Sequence, residues 1–146
     1  MKRISRSAIL EHSAGQLYAL VEDIESYPRF LPWCIEAKVL ERDLSSTKAR
    51  ITAGMHGLQQ SFTTLNQNRP GEGIEMQLVE GPFKSFRAAW SFAALSADAC
   101  RIEFTLEYEF SSLALAKVLE PLFDRIADTM VDAFARRADE IHGPHH

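Results

Sequence analysis

Ionisable side chains are where catalysis would begin, and in this chain their spacing argues against it. Glu103, Glu107 and Glu109 stand at odd positions of one run, and paired carboxylates in apolar surroundings would suit acid-base chemistry. Here they share the polar side of a strictly alternating stretch, which puts them on a solvated face. His12, His56 and His142 are far apart in sequence, and His145-His146 end the chain, so no histidine has a nucleophile or metal ligand at recognisable spacing. Cys34 and Cys100 form no CxxC and are expected as idle thiols rather than a disulfide or a zinc site. Gly71-Glu72-Gly73 is read as a turn, because no helix opening with Lys-Ser/Thr follows it as in a phosphate-binding loop. No catalytic residue, metal or cofactor is expected, and the chain is not read as an enzyme.

What remains is apolar. Tyr27-Pro-Arg-Phe-Leu-Pro-Trp-Cys34 holds four large side chains between and around two prolines, each of which lacks an N–H and restricts the residue before it. At most one helical turn fits between Pro28 and Pro32. Large side chains on such a segment either plug the end of a core or form the rim of a pocket. A second concentration, Phe86, Ala88, Trp90 and Phe92, recurs at period two and is equally compatible with a dry core and with a pocket wall.

The elements that would position these residues follow from periodicity. Residues 3–10 read as a first strand. Ser13 with Gln16 three residues on is a capping-box pattern, and Leu17, Val21 and Ile24 recur at helical spacing, predicting a helix over about 14–22. After the proline segment, Ile35, Ala37 and Val39 alternate with polar neighbours up to a turn near 43–46. Ala49, Ile51, Ala53 and Met55 share a face of the next run, with a tight connection around His56 between Gly54 and Gly57. Residues 58–67 are mixed in polarity and read as a strand with one solvated side. Pro70–Gly73 closes a hairpin onto Ile74, Met76 and Leu78. Gly81-Pro82 opens the run from Phe83 to Leu95, and a turn at Asp98 precedes Ile102, Phe104, Leu106, Tyr108 and Phe110, which alternate without exception. Short turns imply an antiparallel meander.

The period then changes. Leu115, Leu119, Phe123, Ile126, Met130, Phe134 and Ile141 trace a helical stripe, opposite a face of Asp124, Arg125, Asp128, Asp132, Arg136, Arg137, Asp139 and Glu140. Pro121 should kink this helix or split off its first turns, and Gly143-Pro144 should stop it. The fold class is α+β, a strongly twisted antiparallel sheet wrapped around a long C-terminal helix. Sheet and helix should diverge somewhere along their length, leaving a cavity walled by Met76, Phe86, Trp90, Phe92, Phe104, Phe123 and Met130.

At 146 residues the chain is expected to be one domain over 1–146, long enough to bury about 70% of its unfolded surface. No apolar run approaches the ~20 residues that span a bilayer, and Met1-Lys2-Arg3-Ile4-Ser5 precedes no signal-peptide core, so the cytoplasm is the expected location. A net charge of −4 argues against DNA as a partner.

Tyr27–Cys34, Phe62-Thr-Thr-Leu-Asn66, Leu78-Val-Glu-Gly-Pro-Phe-Lys84, Trp90-Ser-Phe92 and Cys100-Arg-Ile-Glu-Phe104, in this order and spacing, resemble the coenzyme Q-binding START-like family of the polyketide cyclase/dehydrase superfamily, a group that includes bacterial ribosome association toxins. Trp33 departs from the smaller residue expected there and would narrow a pocket mouth. The resemblance covers nearly the whole chain and implies the helix-grip fold. It also implies a ligand, ubiquinone or a related polyprenyl lipid, in a protein that supports respiratory electron transport with transient contact at the inner membrane surface. Its ligand-binding residues would be Tyr27, Phe30, Trp33, Met76, Phe86, Trp90, Phe92, Phe104, Phe123 and Met130. The alternative is a regulator that binds the large ribosomal subunit and blocks subunit association, which requires Lys2, Arg3, Arg6, Lys38, Arg42, Lys48 and Arg50 to gather on one surface. A small-molecule cyclase ranks third.

Overall fold

The computed structural model describes residues 1–143; Pro144 and the terminal His145-His146 lie outside them. Strand β1 (Lys2–Leu10) leads into helix α1 (Ala14–Glu22) and a 3-10 helix (Ile24–Arg29). Six strands then follow without interruption: β2 (Cys34–Arg42), β3 (Ser46–Met55), β4 (Leu58–Arg69), β5 (Gly73–Glu80), β6 (Phe83–Ser96) and β7 (Ala99–Phe110). Helix α2 (Leu113–His142) completes the chain. The sheet order is β1-β7-β6-β5-β4-β3-β2, and every neighbouring pair is antiparallel. Helix α2 touches β1 and β7 at one side of this order and β3 near the other, so the sheet curls around it in the helix-grip arrangement.

Local chemistry accounts for most boundaries. Ser13 Oγ accepts from the Gln16 N–H at 3.1 Å and Gln16 Oε1 accepts from the Ser13 N–H at 3.0 Å, a complete capping box that starts α1. His56 and Gly57 take φ of 52° and 81° in a two-residue hairpin closed by the Met55–Leu58 pair; both central positions of such a turn need positive φ, which Gly57 adopts freely. Asp43 Oδ1 accepts from the N–H groups of Ser45 and Ser46, tying the β2–β3 turn and holding its carboxyl below the usual range.

Several expectations need correction. The 3-10 helix runs through Pro28 and ends at Arg29, so no full helical turn is assigned between the two prolines. Tyr27, which should avoid helical angles before a proline, is held by its hydroxyl donating to the Val21 carbonyl and by its ring against Phe134. Ile35 does not share the buried face with Ala37 and Val39; a register shift between Cys34 and Glu36 turns it outward, half-exposed. Phe83, whose parity predicts an outward side chain, is buried, because a register shift between Phe83 and Ser85 rotates it inward. Helix α2 is not divided at Pro121. Pro121 is exposed, so the carbonyl left without its N–H can meet water, while Leu119, Leu122 and Phe123 on either side are buried and keep the turn. The apolar stripe ends at Ala138, and Ile141 is exposed.

The polar side of α2 is exposed except at Asp124 and Arg137, which are half-buried, and part of it is paired with β1. Lys2 pairs with Glu120 and Asp124, Arg6 with Asp128, and the Asp124 hydrogen bond raises the Lys2 ammonium above its ordinary range. Arg137 is largely covered, its guanidinium 5.2 Å above the Phe30 ring. Nor are His12 and His142 isolated: their rings lie 6.1 Å apart, and buried His12 meets Asp139 through Nε2 at 2.7 Å.

Candidate functional site

The inward faces of β3 to β7 do not close fully onto α2. Between them lies a cavity of about 70 Å³. Its far wall is the aromatic row of β6 and β7, where Phe86, Trp90 and Phe104 project from the same side of the sheet as Leu106; Trp90 packs on Phe104 with centroids 4.9 Å apart. Helix α2 contributes Phe123, Ile126 and Met130, positions three and four apart on its buried stripe, and β5 contributes Met76. Tyr27 and Trp33 close one side, so the proline-bracketed segment serves partly as a pocket wall and partly as a plug through Leu31, which is 1% exposed.

Of the residues expected at the site, Tyr27, Trp33, Met76, Phe86, Trp90, Phe104, Phe123 and Met130 line this space, whereas Phe30 and Phe92 do not. Phe30 faces the outside of the segment, against Phe134 and beneath Arg137. Phe92 lies farther along β6, between Tyr18 of α1 and Trp90.

Sequence reasoning missed the opposite wall. Ala49 and Ile51 of β3, and Phe62, Thr64 and Asn66 of β4, also line the cavity, together with Ile24, Ala88 and Leu106. The β4 residues sit two apart and share a face, but polar Thr64 and Asn66 among them disguise it as a solvated side. Both are buried, and Thr64 Oγ1 donates to Asn66 Oδ1 at 2.8 Å. The Asn66 amide nitrogen makes no side-chain hydrogen bond among the described residues.

No Asp, Glu, Lys, Arg or His lines the cavity. The Tyr27 hydroxyl is committed to Val21, and burial pushes its pKa upward. Burial also pushes the Cys34 thiol up to about 12, and both cysteines are free and buried, so neither presents a thiolate. Among the described residues no three His, Cys, Asp or Glu gather to hold a metal. What the cavity offers is dispersion, burial of apolar surface and one buried amide donor.

Comparison with known proteins fits that chemistry. The profile of the family described as polyketide cyclase / dehydrase and lipid transport matches residues 10–135. The chain belongs to this family. Ribosome association toxin RatA of Vibrio cholerae serotype O1 is 42% identical over 143 residues, 98% of this chain and 99% of that protein. Coenzyme Q-binding protein COQ10 homolog B, mitochondrial, of Xenopus laevis is 30% identical over 148 residues, 97% of this chain and 61% of that protein. A START superfamily protein from Mycobacterium smegmatis superposes with a TM-score of 0.79 at 21% identity, covering 95% of this chain and 98% of that one, a likeness of fold.

The basic residues do not gather into one surface. Lys2, Arg3 and Arg6 lie on β1 and Lys38, Arg42, Lys48 and Arg50 on β2 and β3, at opposite ends of the sheet order. Lys2, Arg3, Arg6 and Arg42 are each paired with a carboxylate. A different basic group, unforeseen from sequence, lines an outer groove beside Phe30 and Pro32: Arg29, Arg125 and Arg136. No helix among the described residues is long and apolar enough to cross a membrane.

Proposed function

We propose that the chain binds ubiquinone or a related polyprenyl lipid between sheet and α2 and acts as its carrier or chaperone, without catalysing a reaction on it. The observation that carries this reading is the chemistry of the cavity, aromatic and aliphatic apart from Thr64 and Asn66 and free of charged side chains. The coenzyme Q-binding name of the Xenopus laevis relative supports the same ligand class. Each buried CH₂ contributes about 0.8 kcal/mol, so an isoprene unit contributes roughly 4. Association costs on the order of 4–15 kcal/mol, so at least two units must enter with the ring.

The space present is smaller than that. A cavity of about 150 Å³ accommodates benzene, roughly twice the volume here, so uptake requires the walls to move. Met76 and Met130 are the side chains best able to yield, being unbranched and flexible. The carrier would work in the cytoplasm, with transient contact at the inner membrane surface for loading.

A second reading, association with the large ribosomal subunit, is favoured by the name of the Vibrio cholerae relative and by the groove of Arg29, Arg125 and Arg136, whose one carboxylate, Glu140, pairs with Arg137. Salt separates the two. Burial of a lipid should change little between about 50 and 200 mM salt, whereas six or more phosphate contacts would lose roughly a thousandfold in affinity. Saturable tryptophan quenching by a short-tailed ubiquinone, steady across that range, is the expected result. Tight, salt-sensitive co-sedimentation with large subunits and no quenching would replace the carrier reading with the ribosomal one.

A further inference from the structure

The inner face of β4 is an unusual place for an amide. Asn66 is paired across the sheet with Thr47 on one side and Met76 on the other. The Thr47 hydroxyl already accepts from Asn68 Nδ2 at 2.9 Å, and Met76 offers no oxygen. Asn66 Oδ1 accepts from Thr64, which leaves Nδ2, a donor of two N–H groups, on a residue 5% exposed that lines the cavity. Trp33, another residue of the lining, has a buried indole N–H without a partner. Both unmatched groups are donors, and no charged side chain lines the space. An anion would find no cation here and a cation no carboxylate. A neutral group rich in acceptor oxygens would be matched.

We infer that Asn66, its amide oriented by Thr64, is the hydrogen-bond donor that fixes a neutral carbonyl or ether oxygen of the bound lipid, so that the headgroup rather than the tail end lies against β4. The inference rests on the lipid-binding reading and adds selectivity to it. Burial alone would accept any isoprenoid of suitable size; an unpaired donor in a low-dielectric cavity penalises one that lacks oxygen, because the amide then stays unmatched. Thr64 acts as a positioning residue: without its hydroxyl the amide is free to rotate, and a fixed donor becomes a mobile one.

The experiment compares a short-tailed ubiquinone with squalene, a hydrocarbon isoprenoid, on the full chain and on Asn66→Leu and Thr64→Val. For the wild type, both probes bind, and the side-chain amide signals of Asn66 in a ¹⁵N correlation spectrum shift with the quinone but not with squalene. For Asn66→Leu, the quinone affinity falls about tenfold, the equivalent of one well-made buried hydrogen bond, while squalene binds as well or better. Thr64→Val gives a smaller loss of the same selectivity. Equal losses for both probes, or an Asn66 signal unmoved by bound quinone, would overturn the assignment while leaving lipid binding intact. Failure of the wild type to bind either probe would remove the lipid reading and this inference with it. The spectrum of the wild type decides the matter even where a variant does not fold.

Discussion

Two aromatic regions share the inner face of this sheet, and only one of them is solid. Where β6 begins, Phe83 packs against Phe110 and against Phe86 and Phe123, which the cavity shares, with centroids 5.1–5.2 Å apart, and Tyr108 adds its edge at 6.0 Å. Farther along the same strand Trp90 meets Phe104 and Phe134 as closely, yet a cavity opens beside it. Both stretches have the same period and comparable ring density. The difference lies in what faces them. At the solid end a bulge turns an extra ring inward; at the hollow end several lining positions are small or polar, Ala88 on β6 itself and Ala49, Thr64 and Asn66 opposite. Aromatic rings make the wall, and the residues without bulk make the space.

That division can be broken from its solid side first. Phe83→Ala should cost about 3–5 kcal/mol of stability, read as a lowered urea midpoint, with quinone affinity of the remaining folded protein unchanged. A tenfold loss of affinity with little change in stability would show that the two regions are one. Next in size is Met130→Asp on the hollow side, which puts an unpaired carboxylate on the buried stripe of α2. It should abolish quinone quenching and cost about 3 kcal/mol, whereas Asp132→Asn, on an exposed position, should stay within about 0.5 kcal/mol. Similar losses from both would mean that α2 presents another face to the sheet.

Filling the space sharpens the contrast. Ala88→Leu adds bulk where there is room and should change stability by less than about 1 kcal/mol while removing quinone binding, whereas Ala127→Leu, buried on α2 and away from the cavity, should cost about 1–3 kcal/mol. Comparable destabilisation at the two alanines would argue that the cavity closes in solution. The smallest effect concerns Cys34, next to Trp33 at the rim. Its folded-state pKa, pushed up by burial to about 12, lies above the unfolded value of 9.0. The stability it contributes is therefore present below pH 9 and is lost as pH rises toward 12, about 1 kcal/mol of it by pH 10. Unfolding at pH 8 and pH 10 should show a weaker pH dependence in Cys34→Ala than in the wild type; identical slopes would place the thiol in contact with water.

The sheet and helix were legible because each element carries one dominant period. The uninterrupted alternation from Ile102 to Phe110 and the stripe from Leu115 to Ala138 leave one arrangement in which both bury their apolar sides. Bulges defeated that reasoning at Ile35 and Phe83, since a single extra residue inverts the faces around it without a mark in composition. The aromatic wall was legible for the same reason as the sheet. Its polar counterpart was not, because Thr64 and Asn66 have the residue types of a wet face and only the fold shows them to be buried. Phe30 and Phe92 were drawn toward the site by size and parity, but the first is turned out beneath Arg137 and the second lies beyond the end of the hollow.

The pairing of β1 with β7 has a consequence for how the protein is made. Even its closest-spaced partners, Leu10 and Cys100, enclose all of β2 to β6. The other strand pairs are hairpins that can form as soon as their second strand exists, whereas this one is a long-range contact that slows folding. Strand β1, made before the other six, is thus among the last to find its place, and until it does β7 presents an open edge to any other extended chain. Translation that stalls before β7 leaves β1 without its native neighbour and α2 unmade, so the grip and its cavity arise together only once α2 has been made.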